Sequence, residues 1–298
     1  MGILPERTAR FEAFIAPARA RPPLWRLAAG AVLAAAVWLA AAFVLLPLAA
    51  RAATAPERLF LLAYLASFAG LILGTIAAAR ALQRRGPATL IGPGGFRTRH
   101  FFLGIAAVVL LGALAGLTLS GLTPPVRQMS LAAWAAWLPL ALPALLVQTA
   151  AEEIAFRGYL LQGLAARFRS RWIWWLLPAL AFGALHWNPA EFGRNAWLVA
   201  LSTAVIGLIL ADVTIRTGNL SAAIGLHFAN NVASLLVVSL PSPLASLSLY
   251  LAEIDPADAD ALRPLLLADL ATTLAAYAAW LALCHRRRRL HSEGRGSI

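Results

Sequence analysis

The stretch Glu152-Glu153-Ile154-Ala155-Phe156-Arg157 sets two carboxylates and a guanidinium at the end of an apolar run that begins near Leu131. A charge at the centre of a membrane helix costs about 2.5–3.5 kcal/mol on insertion scales, so such groups face a bundle interior or a wet cavity. Glu153 and Arg157 are four apart and share a helix face, where they can pair. Glu152 is turned away by about 100°. One carboxylate is then neutralised while its neighbour stays available as a base. Two more polar groups interrupt apolar runs: His186, at the end of Phe182-Gly183-Ala184-Leu185-His186, and the pair His227 and Asn231, four apart and on one face. A glutamate beside a histidine can hold and deprotonate water, while a second histidine and an asparagine can donate to a developing oxyanion. These are the parts needed to hydrolyse an amide by water attack. Ser221 and Ser234 lack the Gly-x-Ser-x-Gly setting of a nucleophile elbow, and Cys284 has only His285 beside it.

Each set alone has a plainer reading. Glu153 and Arg157 could be a structural ion pair, His186 an interfacial histidine, and His227 with Asn231 a polar contact between helices. Their depth favours a common site. Arg167, Arg169 and Arg171 mark a turn at the membrane edge, and Glu152 and His186 lie equally far before and after it, each about 22 Å along a helix. His227 lies about 16 Å beyond Arg216 by the same measure. Two antiparallel helices and a third would bring the groups to similar depth, unless Pro178 kinks the second. Glu152, His186 and His227 also make a possible His₂Glu zinc set. His-Glu-x-x-His is absent, and neither a metal nor another cofactor is expected.

Composition dictates what carries these residues. Hydrophobic residues make up 61% of the 298 and charged residues 13%, against about 45–50% and about 25% in soluble domains. The expected fold is all-α: a polytopic membrane bundle of about eight helices, near 27–50, 59–79, 101–120, 131–151 (running on to 166), 172–187, 196–215, 220–240 and 264–283. The fifth is the shortest and the seventh carries the polar groups. All 25 basic residues are arginine, and the net charge is +12. Nucleic acid is not the expected partner, because the arginines sit between apolar runs. With eight spans, nineteen of them fall on the side of the two termini and five on the other. That bias puts both termini in the cytoplasm of a bacterial-type inner membrane. Three segments follow: an amino-terminal cytoplasmic stretch 1–26, a membrane domain 27–283 holding the site, and a basic cytoplasmic tail 284–298. The first could form a short interfacial helix with Phe11, Phe14 and Ile15 beside Arg10.

The patterns Glu152-Glu153-x-x-x-Arg157, Phe182-x-x-x-His186 and His227-x-x-x-Asn231, in this order, resemble the CPBP family, which groups type II CAAX prenyl endopeptidases with bacteriocin-processing and immunity proteins. The resemblance covers about 152–231. It implies an eight-helix, metal-independent intramembrane glutamic protease. It implies that Glu152 is the catalytic glutamate, His186 its partner in activating water, and His227 and Asn231 the oxyanion-stabilising pair. Glu153 and Arg157 match the residues that brace the motif. A membrane-associated peptide or protein would be the substrate; its identity, prenylation and route of entry, and the oligomeric state, stay open. A non-enzymatic immunity or scaffold protein is the alternative. A proton-coupled transporter is the second, since buried Glu, Arg and His also relay protons and Asp212 and Asp269 lie near or inside spans.

Overall fold

The computed structural model describes residues 5–20, 23–52, 56–119 and 124–293, with the side chains of 114–119 and 283–293 outside that description. The chain is almost entirely helical. Its helices are α1 (Ala9–Ile15), α2 (Leu24–Ala50), α3 (Pro56–Gln83), α4 (Ala88–Ile91), α5 (Thr98–Leu119), α6 (Leu131–Glu153), α7 (Gln162–Arg167), α8 (Leu177–Ala184), α9 (Pro189–Phe192), α10 (Ala196–Thr217), α11 (Ser221–Val232) and α12 (Ala259–Glu293). Wider π-type turns at Ile154–Leu161, Trp172–Leu176 and Ala233–Val237 continue α6 into α7, lead into α8, and extend α11.

Among the described residues, five helical stretches are long and apolar enough to cross a membrane: Leu24–Ala50, Pro56–Gln83, Leu131–Arg167, Pro189–Thr217 and Ala259–Ala282. They make the chain a multi-pass membrane protein. Three shorter apolar helices, Thr98–Ala113, Trp172–Ala184 and Ser221–Val237, occupy the places of the third, fifth and seventh expected spans. The fifth stops at Ala184, and Asn188, ahead of Pro189 and so kept out of the helical region, separates it from the next helix. The seventh gives way to a small sheet of two-residue strands, in which β1 (Val126–Arg127) runs antiparallel and β2 (Val238–Ser239) parallel to β3 (Tyr250–Leu251). The basic tail expected at 284–298 continues as the backbone of α12 to Glu293, and its side chains lie outside the described residues.

Small residues set the helix spacing, because apolar lipid offers helices no hydrophobic reason to associate and close packing must do so. α5 and α11 cross almost backbone to backbone. A Cβ on Gly225 would stand 2.1 Å from the Phe101 carbonyl oxygen, and one on Gly104 would stand 2.6 Å from that of Ala222. Gly183 brings α8 equally close to α10.

The amino-terminal helix α1 forms as expected, but its apolar face turns into the protein rather than outward. Phe11, Phe14 and Ile15 are fully buried in a core with Trp174, Ile215, Leu220 and Ile224. Arg7 fastens it, donating to the carbonyls of Ala165 and Phe168 at the end of α7.

The joint between α10 and α11 is short and densely bonded. Gly218 ends α10 in the left-handed conformation (φ 65°), and its N–H bonds the Thr214 carbonyl, a conformation that glycine adopts without steric cost. Asn219, fully buried, donates to the Gly95 carbonyl and accepts from the Ser221 N–H and hydroxyl. Leu220 N–H bonds the Ile91 carbonyl. The loop between α4 and α5 thus clamps the start of the helix that carries His227.

Candidate active site

Glu152 and Glu153 end α6, and the π-type turn after them delivers Arg157 to the same interior. Such turns recur at functional sites, where they re-aim side chains within a helix. Arg157 Nη1 lies 2.8 Å from Glu153 Oε1, with the two side chains 2% and 0% exposed. The guanidinium also donates to the Gly207 carbonyl of α10 at 3.0 Å. The ion pair foreseen from spacing is therefore present, and it ties α6 to α10.

The same Glu153 oxygen has a third partner, His227 Nδ1 from α11, at 2.8 Å. The other ring nitrogen, Nε2, stands 3.5 Å from Glu152 Oε2. His227 thus bridges the two carboxylates, which neighbour in sequence but face different ways. Both are buried, at 8% and 0% exposure. Glu153 Oε2 meets no hydrogen-bond donor among the described residues, and the approach of His227 Nε2 to Glu152 Oε2 is an ion-pair contact outside hydrogen-bond geometry.

Asn231, one turn beyond His227, donates to Gln148 Oε1 at 3.0 Å. Gln148 is one turn before Glu152 on α6, and its side chain reaches that carboxylate. His186 sits just past the end of α8, exposed at the rim. Its Nδ1 is 2.8 Å from the Phe182 carbonyl oxygen, an acceptor only, so Nδ1 carries the hydrogen and the neutral ring keeps Nε2 as acceptor. His186 lies near enough to Glu152 to act on its charge.

The sequence paired Glu152 with His186, and His227 with Asn231. In the fold, the closest imidazole to the carboxylates is His227, while Asn231 turns to Gln148. Two participants were missed. Gln148 had a signal, a polar side chain one turn ahead of Glu152 in an apolar run. Phe182 was read only as a motif position. Its ring, 2% exposed, lies 4.9 Å from the His186 ring, 5.9 Å from the His227 ring at 88°, and 4.9 Å from the Arg157 guanidinium. It is the apolar body against which three site side chains rest.

Among the described residues, no group of three His, Cys, Asp or Glu side chains is arranged to hold a metal ion. The zinc set Glu152, His186 and His227 does not form one. The cluster is a buried His–Glu site in the middle of apolar helices.

Residues 133–233 match the family model of type II CAAX prenyl endopeptidase Rce1-like proteins. An Rce1-like CAAX-protease domain is present over this part of the chain. The Rce1-like segment runs from the start of α6 to just past α11 and contains Glu152, Glu153, Arg157, His186, His227 and Asn231. The chain is also similar to the uncharacterized protein YyaK of Bacillus subtilis (strain 168), at 33% identity over 86 residues. That alignment takes in 29% of this chain and 29% of YyaK, so the chain spans under a third of the relative it matches. No solved structure matches.

Proposed function

We propose that the chain is a CPBP-type intramembrane endopeptidase that hydrolyses peptide bonds with water, without a metal. The observation that carries this reading is the His227 bridge, 2.8 Å from Glu153 and 3.5 Å from Glu152, inside apolar helices. Charge balance explains its usefulness. Ionised Glu153 is matched by Arg157, and one proton shared between Glu152 and His227 leaves the cluster neutral, as a low-dielectric interior favours.

That proton and that carboxylate supply both halves of the reaction. Glu152 takes a proton from water as the oxygen attacks the carbonyl carbon, and the departing amine receives a proton from the same pair. His186 stands at the rim with Nε2 able to accept from the water. One amide hydrogen of Asn231 goes to Gln148, which leaves the second for the oxyanion. Glu153 and Arg157 hold His227 in the tautomer and place the reaction needs, and Phe182 supports the rings.

The same reading takes eight membrane crossings, the three shorter helices completing the five long ones. It sets both termini in the cytoplasm of a bacterial-type inner membrane, with a membrane-associated peptide or protein as substrate. The test is Glu152→Gln, a near-isosteric change. Membrane fractions from cells carrying each form are compared by proteomics for an uncut substrate. Uncut protein accumulating with Glu152→Gln, at normal levels of the variant, is the expected result. Identical cleavage patterns with both forms would reject the enzyme, and a biological effect retained by Glu152→Gln would assign a scaffold.

A further inference from the structure

Helix α12 is fastened at two places and open between them. At one end the Asn195 side chain donates to the Ala259 carbonyl at 2.9 Å and accepts from Arg263. Further along, Tyr277 donates to Asp212 at 2.5 Å, and the Arg216 guanidinium lies over the Trp280 ring at 5.8 Å. Between these points α12 stands away from α5, α10 and α11, leaving a groove of about 520 Å³. That is within the range of ligand-binding pockets, about 300–1,000 Å³.

The groove has direction. Along α5 it runs from His100 to Leu111, about three turns or about 16 Å, close to half the hydrocarbon thickness of about 30 Å. Leu103 and Leu111, 57% and 38% exposed, form its outer lip, so it opens sideways towards lipid. Most of the wall is aliphatic. Both ends carry polar groups: His100, Thr217 and Tyr277 line the one nearer the start of α5, Asp269 of α12 and Asn230 of α11 line the other, and His227 forms part of the inner wall. Asn230 donates to Asn231 at 3.4 Å, linking the groove to the site.

Asp269 is the odd member. Among the described residues it has neither a hydrogen-bond nor an ion-pair partner, and it stands three turns from Trp280, well into an apolar span. Intramembrane carboxylates are rare and normally find a partner or a wet cavity. A hydrocarbon tail would fill the groove yet leave Asp269 unmatched, whereas Thr272 and Asn230 already donate to Ala268 and Asn231. A peptide segment supplies both apolar side chains and donors.

We propose that this groove docks a membrane-inserted peptide segment, its apolar side chains along α5 and one cationic or hydrogen-bond-donating group against Asp269. The inference rests on the hydrolytic reading only in taking the segment to be substrate. It fixes a sideways route of entry between α5 and α12, and it makes Asp269 a specificity-determining residue.

The experiment measures docking without turnover. The full chain carrying Glu152→Gln is placed in phosphatidylcholine vesicles with a leucine-rich transmembrane peptide bearing a photoreactive diazirine and one central lysine. A second peptide has leucine at that position. The lysine peptide should label α5 and α12, and Asp269→Asn should lower that labelling about tenfold, the loss of one charge-assisted bond, without changing the leucine peptide's. Equal labelling of both peptides, labelling spread over the exposed face of α2, or indifference to Asp269→Asn would overturn the proposal. So would displacement of the peptide by added phospholipid, which would assign the groove to a lipid. If Asp269→Asn does not accumulate, Leu111→Trp, which narrows the deep end from the lip, must suppress labelling instead. A chain that labels as expected but never cleaves retains the groove and loses the enzyme; a chain that cleaves without labelling loses only the groove.

Discussion

Glu153 Oε1 lies 2.8 Å from His227 Nδ1 and accepts from Arg157 at the same distance, so one carboxylate oxygen ties α6, the turn after it and α11 together. A buried anion shared by two donors is worth most when neither can be removed without leaving charge unmatched.

Arg157→Ala leaves Glu153 buried with His227 alone. Breaking a buried pair costs about 3–5 kcal/mol, so the variant should accumulate poorly and unfold earlier in a thermal ramp in detergent. Arg157→Lys restores the charge but not the fork that also reaches Gly207, and should recover stability in part. Normal accumulation with only turnover reduced would remove the bracing role.

Phe182→Leu keeps apolar volume but takes away the ring that His186, His227 and Arg157 rest on. Ring pairs of this kind are worth about 0.5–1.5 kcal/mol beyond area, and about 1.4 kcal/mol is tenfold in rate. Peptide cleavage kinetics should show kcat lowered about tenfold with KM little changed. An unchanged kcat would show that the rings are held by their hydrogen bonds alone.

Gly225→Ala forces α5 and α11 apart, since the new methyl would meet the Phe101 carbonyl. Overpacking of this sort costs about 1–3 kcal/mol and sometimes more, which a detergent melting curve will register. Gly112→Ala is the control: its added Cβ meets nothing within 4 Å, and its melting point should stay near that of the parent.

The docking of α1 should weaken in acid. The Arg7 hydrogen bond, with Arg19 beside it, holds the Glu12 carboxyl below the ordinary glutamate value of 4.5. A lowered folded value means the contribution is complete above about 4.5 and fades as pH falls through the lowered value. Phe11 packs on Trp174 with ring centroids 5.1 Å apart. The emission difference between the parent and Trp174→Phe should therefore shift in that acid range and stay flat above it. Glu12→Gln should remove the pH dependence.

Much of this could be read from spacing, and the limits were physical. The Glu153–Arg157 pair follows from one helix's geometry, so four residues of separation suffice to foresee it. That His227 completes the pair depends on how a third helix is rotated, which no local spacing encodes. The apolar runs fall where the eight apolar helices of the described residues stand, yet hydropathy marked only the fifth as short and did not set the third and seventh apart from the five long ones. Phe11, Phe14 and Ile15 have the composition of a surface-seeking face; only the partner core around Trp174 shows that they turn inward. Phe182 is apolar within an apolar run, so nothing in its residue type sets it apart.

The clamp at Gly218, Asn219 and Leu220 has an evolutionary corollary. It fixes the rotational phase of α11 only seven residues before the imidazole that the site needs. One inserted residue after Asn219 would rotate the helix by about 100° and advance it by about 1.5 Å, presenting Leu226 where His227 now stands. The segment between β3 and α12 carries no member of the cluster, so a change in its length rotates none of them. Insertions and deletions should thus be tolerated after Leu251 and forbidden at the joint, a contrast that a tandem insertion scan would make visible.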